Sequence, residues 1–157
     1  MILILSILVI LILFFGLIEF KIHQKSLSKI PIRIHVNGSR GKSSVVRLIA
    51  AGLRSGGVKT VAKTTGTSPR IIDEFGHDKY IHRLRSASIG EQISLIRRFS
   101  KIKPDALVIE CMAVNPQYQW ISEHKIVRST IGVMTNVRPD HLDEMGISIN
   151  QITKSMA

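Results

Sequence analysis

A glycine-containing loop followed by a lysine and two serines, GSRGKSS at residues 38–44, has the composition of a phosphate-binding site. Its glycines let backbone N–H groups converge on an anion. Lys42 is long enough to reach the terminal phosphates of a nucleotide, and the Ser43 hydroxyl suits a Mg²⁺ ion. The strict pattern G-x-x-x-x-G-K-[ST] requires glycine where this chain has Val36, so a basic helix start after a glycine turn is the alternative. On the first interpretation the ATP- and phosphate-binding residues are Gly38, Ser39, Arg40, Gly41, Lys42, Ser43 and Ser44.

Two further polar positions each follow an apolar run that is typical of a buried strand. Glu110 ends the run DALVIE, and His141 stands beside Asp140 in TNVRPDHLDEMG. The carboxyl ends of parallel strands meet at one edge of a sheet, which is where α/β proteins bind ligands. Ser43, Glu110 and His141 would then converge on a divalent metal ion near bound phosphate. A solvated strand end and a solvated loop histidine are the alternatives.

The elements that would position these residues alternate between strand and helix. IPIRIHV is rich in β-branched residues and predicts a strand over 31–36. Residues 42–54 carry an apolar helical face, which the glycines of 55–57 end. The remaining predictions are a strand over 58–63, a loop over 64–70, a hairpin turning at Gly76, a helix after the capping-box pattern of Ser88 and Glu91, and strands in DALVIE and STIGVMTN. This alternation predicts an α/β fold, a mostly parallel sheet with helices on both faces.

The amino terminus predicts a membrane anchor. Residues 1–18 contain no charged side chain, and their length approaches what the hydrocarbon core requires. A cleaved signal peptide would show a basic start and a small-residue cleavage site, and a core helix would show a polar face. We therefore predict a transmembrane anchor over 1–20 and a basic linker over 21–30. The lysines behind the anchor place the rest of the chain in the cytoplasm, a reducing compartment that suits the single cysteine, Cys111.

Positive charge is concentrated in the front half of the chain. Residues 21–103 hold 18 Lys and Arg against four Asp and Glu. Such a surplus favours a polyanionic partner, either acidic lipid headgroups or an acidic substrate. Aromatic residues are few and do not alternate with the basic ones, so no base-stacking surface is indicated and nucleic acid is not an expected partner.

The three stretches NGSRGKSS, VIECMA and TNVRPDHLDEMG, in this order and spacing, resemble the ATP-binding domain of the Mur ligase superfamily. The phosphate loop of that family typically reads G-T-N-G-K-[ST] and needs no glycine at the place of Val36. Within the superfamily, the anchor together with KTTGTSPR and IECMAVNPQYQ resembles the ligase subunits of bacterial poly-γ-glutamate capsule synthases. The resemblance implies a P-loop-type domain over 31–157 that is incomplete at its carboxyl end, behind one transmembrane helix.

The resemblance also implies a reaction. ATP phosphorylates a carboxylate, and an amine attacks the acyl phosphate to give an amide, ADP and phosphate. The substrates would be glutamate and a growing poly-γ-glutamate chain, and the cofactors ATP and Mg²⁺. The protein would be a single-pass protein of the bacterial cell membrane that works with other membrane subunits of a capsule synthase. The residues expected to act are Lys42 and His141 in catalysis, Ser43, Glu110 and His141 on the metal, and Thr64, Thr65, Thr67 and Arg70 on substrate.

Other functions remain open at this point. A fragment of this kind is expected to bind nucleotide weakly and not to ligate alone. A membrane-anchored P-loop ATPase or kinase of another class is the second hypothesis, although it would favour a Walker-B aspartate in place of Glu110. A non-catalytic module that binds acidic lipid or polyanion is the third. The charge surplus fits either retention of a polyglutamate chain or contact with acidic lipid.

Overall fold

The computed structural model describes residues 1–66, 68–82 and 88–156 of the chain. Within them a single sheet has the strand order β4-β3-β2-β5-β1-β6. Four neighbouring strands, β2, β5, β1 and β6, are parallel, and β3 and β4 add an antiparallel hairpin at one edge. The strands are β1 Ile32–Asn37, β2 Thr60–Thr64, β3 Arg70–Ile72, β4 Asp78–Tyr80, β5 Ala106–Glu110 and β6 Ile131–Met134. The predicted mostly parallel sheet is confirmed, and the predicted hairpin at Gly76 is present.

Helices cover both faces of the sheet. They are α1 Ile2–Leu27, α2 Lys42–Ser55, α3 Gly90–Ile102, α4 Pro116–Ile121, α5 Leu142–Met145 and α6 Ile149–Met156, and a π-helical segment, Ser122–Val127, continues α4. The strands alternate between two cores because successive side chains point to opposite faces. Leu107 and Ile109 pack with α3, the end of α1 and the π-helical segment, whereas Val108 packs with α2. Both faces are therefore apolar, as parallel sheets require.

Val36, the residue that departs from the strict phosphate-loop pattern, is a core residue. It is completely buried near the end of β1 and belongs to the same cluster as Val46 of α2. Glycine there would remove a side chain from the interface between sheet and helix, and truncation of a buried aliphatic side chain is destabilising. Val36 is thus explained by packing, and the loop proper begins after Asn37.

Residues 21–30, for which the sequence predicts a basic linker, are mostly helical. α1 continues without a break through Leu27, and only the last residues before β1 form a turn. His23, Ser26 and Leu27 are buried, and Leu27 joins the core of the domain together with Ile30. Burial of these side chains stabilises the helical conformation in a stretch whose composition looks polar. By length and composition α1 is able to span a membrane.

Glu91, the carboxylate of the capping box predicted with Ser88, forms an ion pair with Lys63. Ser88 Oγ accepts from the backbone N–H of Gly90, while Oε1 of Glu91 lies 3.1 Å from Nζ of Lys63. Lys63 is fully buried in β2. A buried ammonium group is costly without a partner, so the pairing with Lys63 outweighs the local helix cap.

A second buried ion pair links β1 to the π-helical segment. His35 Nδ1 lies 2.6 Å from Oε2 of Glu123, and His35 is 4% exposed. Burial by itself lowers the pKa of His35, but the neighbouring Cys111 thiol and Glu123 carboxylate outweigh it and raise the pKa to about 9. Burial by itself raises the pKa of Glu123, but its hydrogen bonds with His35 and Ser129 lower the pKa to about 2. The pair is therefore charged across the neutral range.

This ion pair predicts a pH dependence of stability. In the unfolded chain His35 loses its proton near its ordinary pKa of 6.5, whereas in the folded chain it keeps the proton up to about 9. The free energy of unfolding therefore falls as the pH rises from 6.5 through 9. Glu123 contributes above 4.5, and its contribution is lost as the pH falls toward 2. Urea titrations of the purified chain in detergent measure both limbs.

Glu123→Gln removes the charge partner of His35, so we expect a shallower decline on the alkaline limb. Asp143→Asn is the matched control, because Asp143 is exposed on the short helix α5. An alkaline slope that is the same in the Glu123 variant and in the wild type would show that the pair does not govern this limb.

Candidate functional site

The glycine loop connects β1 to the first turn of α2. Gly41 has φ 80° and lies directly before Lys42, the first residue of the helix. Gly38 has φ 128°, and a Cβ built on it would collide with Thr135 Oγ1 and lie 2.9 Å from the carbonyl oxygen of Asn136. Both glycines therefore have conformations that other residues rarely adopt. At Gly38 the close approach of another segment also excludes a side chain.

The segment after β6 holds the loop in place. The N–H of Ser39 donates to the Asn136 carbonyl at 3.0 Å, and Ser39 Oγ both donates to the Arg138 carbonyl and accepts from its N–H. Thr135 Oγ1 and Asn136 Nδ2 both donate to the Arg40 carbonyl, at 2.8 and 2.9 Å. The phosphate-loop motif and the start of the histidine motif are thus one bonded unit, although they lie about a hundred residues apart.

Glu110 connects three elements at the carboxyl edge of the sheet. Its Oε2 accepts from Ser43 Oγ at 2.7 Å and from the backbone N–H of Thr65 at 2.8 Å. Its carbonyl oxygen accepts from Nε2 of Gln92 on α3 at 3.3 Å. The parallel register pairs Glu110 with Val36, so the carboxylate lies beside the residues that open the loop. The predicted proximity of Ser43 and Glu110 is observed.

A cavity of about 200 Å³ lies between the loop and the ends of β2 and β5. Several of the predicted residues meet here. The cavity is lined by Asn37, Gly38, Ser39, Lys42, Thr65, Gly66, Glu110, Cys111, Met112, Ala113, Val114, Asp140, His141, Met145 and Met156. The Lys42 ammonium group is held over the loop by the carbonyls of Gly38 and Ser39, at 2.6 and 3.4 Å. The cavity therefore combines a helix amino terminus, an ammonium group, a carboxylate and an imidazole.

His141 enters the cavity from the turn before α5. Its backbone is left-handed, with φ 48°, and its side chain is 54% exposed. Its Nε2 lies 3.9 Å from Oδ1 of Asp140, which lines the same cavity. A histidine tolerates this conformation better than most residues do, but it is uncommon and marks a position that calls for a functional interpretation.

Of the predicted phosphate ligands, Gly38, Ser39 and Lys42 line the cavity, whereas Arg40, Gly41, Ser43 and Ser44 do not. The Arg40 guanidinium group is 72% exposed and lies 3.3 Å from Oδ2 of Asp140. The Ser43 hydroxyl is bound to the Glu110 carboxylate, which does line the cavity, and Ser44 is exposed on α2.

The predicted substrate residues are divided. Thr65 lines the cavity, and Thr64 is buried at the end of β2 directly before it. Arg70 lies on β3, between β2 and the edge strand β4, where Nη1 is 3.5 Å from Oδ1 of Asp78, and it does not line the cavity. Thr67 lies outside the described residues. Among the described members of this set, Thr65 and its neighbour Thr64 are near the candidate site, and Arg70 is not.

The oxygen ligands at the site suit Mg²⁺ better than a transition metal. Among the described residues no group of three His, Cys, Asp or Glu side chains is arranged as a metal cage. The adjacent Ser43 hydroxyl and Glu110 carboxylate are hard oxygen ligands, and Mg²⁺ usually combines one or two of these with water and phosphate oxygens. These two residues therefore fit Mg²⁺, and His141, which lines the cavity together with Glu110, is the third candidate.

Sequence reasoning missed the side chains that fix the loop. Asn37 Oδ1 accepts from the Gly38 N–H at 2.8 Å, and its Nδ2 donates to Oε1 of Gln119 at 2.7 Å. Asn136 and Gln92 hold the loop and the Glu110 backbone, respectively. Asn37 and Asn136 each lie at or just beyond a strand end at the ligand-binding edge of the sheet. This position in the sequence could have identified them as site residues.

The chain belongs to the Mur ligase family, because residues 36–157 match the Mur ligase middle domain. Two curated relatives narrow the comparison. The chain is 40% identical to the capsule biosynthesis protein CapB of Bacillus anthracis over 99% of its own length and 34% of that protein. It is 42% identical to the PGA synthase CapB of Bacillus subtilis strain 168 over 92% of its length and 37% of that protein. The chain thus spans about a third of the length of the curated relatives that it matches.

Solved structures of the same fold support the architecture. E. coli FolC in complex with DHPP and ADP superimposes with a TM-score of 0.61 at 16% identity, over 88% of this chain and 37% of that one. A point mutant of L. casei FPGS gives a TM-score of 0.59 at 17% identity, over 88% of this chain and 40% of that one. At these identities the similarity establishes the fold.

The close approach at Gly38 predicts the effect of a single methyl group. Gly38→Ala would force the new Cβ against Thr135 and Asn136, and we expect a loss of about 1–3 kcal/mol in the free energy of unfolding, the usual range for backbone strain. Gly52→Ala is the matched control, because Gly52 lies within α2 and a Cβ there meets nothing within 4 Å. That variant is expected to gain about 0.5–1 kcal/mol from helix propensity. Equal effects of the two substitutions, measured by urea unfolding, would contradict the described packing of the loop.

Proposed function

We propose that these residues form the ATP-binding part of an ATP-dependent amide ligase that builds γ-linked glutamate chains. The proposal rests on one observation. Lys42, Glu110 and His141 line a single cavity at the carboxyl edge of the sheet, next to the glycine loop and the amino terminus of α2. Membership of the Mur ligase family and the names of the two CapB relatives support the reaction class and the substrate. FolC and FPGS structures with ADP or AMPPCP support ATP as the nucleotide.

The residues of the loop would bind and orient the phosphates. Backbone N–H groups and the positive end of α2 attract the phosphate oxygens, and the Lys42 ammonium group offsets negative charge on the γ-phosphoryl group during transfer. A substrate carboxylate attacks the γ-phosphorus and ADP leaves, and an amine then displaces phosphate from the acyl phosphate to form the amide. Ser43 and Glu110, with His141, would hold a Mg²⁺ ion, which supplies charge neutralisation across the phosphate oxygens when bound.

Thr65 links the substrate side of the cavity to the metal side. Its backbone N–H is already bound to Oε2 of Glu110 at 2.8 Å, which fixes the start of the loop behind β2. Its hydroxyl and that of Thr64 are the candidate contacts to the substrate carboxylate. Arg40, which pairs with Asp140 at the cavity rim, is a candidate to bind phosphate or carboxylate after rotation about its side chain.

The cellular setting follows from α1 and from the relatives. We propose that α1 spans the bacterial cell membrane once, with the α/β domain on the cytoplasmic side. The proposed substrates are glutamate and the poly-γ-glutamate chain, and the proposed partners are other membrane subunits of a capsule synthase, as the name of the B. anthracis relative suggests.

Two residues of the loop separate a phosphate site from a merely basic surface. Lys42→Ala removes an ammonium group that lines the cavity, whereas Arg40→Ala removes a guanidinium group that lies outside it. We expect the Lys42 variant to weaken ATP binding at least about tenfold, which corresponds to ~1.4 kcal/mol, and the Arg40 variant to weaken it less. Isothermal titration of ATP into the purified chain measures both affinities.

Because both variants remove one positive charge, they are matched controls for each other. Equal losses would indicate that ATP is attracted by general charge rather than by the loop. A larger loss for Arg40→Ala would mean that Arg40 rotates into the cavity and is the stronger phosphate ligand.

Glutamate dependence tests the reaction itself. A protein that carries this domain together with the further length of the CapB relatives is expected to release ADP from ATP only when glutamate or a γ-linked glutamate oligomer is present. Mass spectrometry should show the oligomer growing by one glutamate for each ADP released. Glutamate-independent hydrolysis would favour another class of ATPase or kinase, and the absence of any hydrolysis would favour a non-catalytic binding module.

A further inference from the structure

The junction between α1 and the α/β domain is rigid. Arg97 Nη2 on α3 donates to the Glu19 carbonyl at 3.0 Å and lies 3.3 Å from the Glu19 carboxylate. One turn later, His23 Nε2 donates to the carbonyl of Ile126 at 2.7 Å. With Leu27 in the core, no flexible linker separates the apolar helix from the domain.

This rigidity fixes the height of α3 relative to the apolar part of α1. The uncharged run ends at Ile18, so Lys21 and Lys25 follow it by about 5–10 Å along a helix that rises 1.5 Å per residue. Each headgroup layer of a bilayer is roughly 5–8 Å thick. Lys21 therefore lies at headgroup depth once the run is inserted, and Arg97 lies at the same depth because it contacts Glu19.

The charged side chains at this junction are mostly basic. Residues 19–30 and 90–103 together contain seven Lys and Arg against two acidic residues, Glu91, which is paired with Lys63, and Glu19, which is paired with Arg97. Arg98 and Lys101 are exposed within about one helical turn of Arg97. We define the basic junction surface as Lys21, Lys25, Arg97, Arg98 and Lys101.

The basic junction surface is poorly placed to guide a polymer substrate to the cavity. Ile102, at the end of α3, accepts through its carbonyl oxygen from Lys59 Nζ at 2.7 Å, and Lys59 precedes β2. The end of α3 that carries Lys101 therefore lies at the amino edge of the sheet. The cavity lies at the opposite, carboxyl edge. A chain held on Lys101 would be held away from the reaction.

We propose that the basic junction surface binds anionic lipid headgroups and seats the domain directly on the inner leaflet. The proposal rests on the membrane insertion of α1 proposed above. Each basic residue near an anionic bilayer surface contributes about 1 kcal/mol. The junction presents Lys21, Lys25, Arg98 and Lys101 together with Arg97, whose charge is partly offset by Glu19. The orientation of the domain on the membrane is then set by charge as well as by the anchor.

Lysine acylation in nanodiscs tests this proposal with the full chain. The chain is reconstituted in discs of phosphatidylcholine alone or of phosphatidylcholine with phosphatidylglycerol, labelled with an amine-acylating reagent and analysed by mass spectrometry. We expect acylation of Lys21, Lys25 and Lys101 to fall several-fold in the anionic discs. Lys79 on β4, whose side chain is 68% exposed, is the internal control and is expected to react equally in both.

Three results would overturn the proposal. Equal labelling in the two kinds of disc would show that the surface does not contact headgroups, while leaving the anchor intact. If a γ-linked glutamate oligomer added to neutral discs lowers the acylation of these lysines more than anionic lipid does, the surface binds the polymer and not the headgroups. A chain that does not co-elute with neutral discs would remove both the anchor and the proposal that rests on it.

A charge-removal variant adds a second measurement. In anionic discs, added salt is expected to release the domain and to restore the acylation of Lys25. The double variant Arg98→Gln and Lys101→Gln should reach this point at a lower salt concentration, because fewer charges then hold the domain on the surface. Lys79→Gln with Lys154→Gln removes the same charge from exposed positions outside the junction and is expected to leave the salt dependence unchanged. An identical salt dependence for the two double variants would contradict the proposal.

Discussion

The carboxylate of Glu110 is the contact on which the candidate site depends. It lies at the end of a buried parallel strand and accepts hydrogen bonds from α2 through Ser43 and from the loop after β2 through Thr65. A buried carboxylate requires partners, and these two donors supply them. By binding both, Glu110 fixes the first turn of α2 relative to the sheet and so fixes the direction of the helix amino terminus. The same carboxylate is a hard oxygen ligand, which makes one group serve both the architecture and the proposed metal ion.

The other wall of the site is set by the close approach of two distant segments. Gly38 lies against Thr135 so closely that no side chain fits, and the Arg40 carbonyl accepts two hydrogen bonds from the same segment. This contact carries His141 and Asp140 to the cavity, since both follow the bonded segment by only a few residues. The opposite end of the domain is joined as firmly to α1 through His23 and Leu27. Both the site and the end of α1 are therefore held to the same sheet by direct contacts.

Periodicity and motif order predicted the alternation of strands and helices, the position of Glu110 at a strand end and its proximity to Ser43. Those features follow from local rules and from the geometry of parallel strands. The helical continuation of α1 through the predicted linker depends on His23 meeting Ile126, 103 positions away, which no local pattern encodes. The outward turn of Arg40 depends on Asp140 in the same way. Arg70 was predicted to lie in the substrate loop, but it pairs with Thr64 of β2 and Tyr80 of β4 within the antiparallel part of the sheet. What the sequence does not reveal is which polar side chains satisfy each other across the fold.

The central claim is that Ser43 and Glu110 form the metal side of a nucleotide site, and the Mg²⁺ dependence of ATP binding tests it most directly. The affinity of the chain for ATP is measured with and without Mg²⁺, in the wild type and in Glu110→Gln, whose side chain keeps an oxygen acceptor for the Thr65 N–H. We expect Mg²⁺ to strengthen ATP binding by the wild type at least about tenfold, ~1.4 kcal/mol, and most of this gain to disappear in the variant. A Mg²⁺ effect of the same size in both proteins would contradict it.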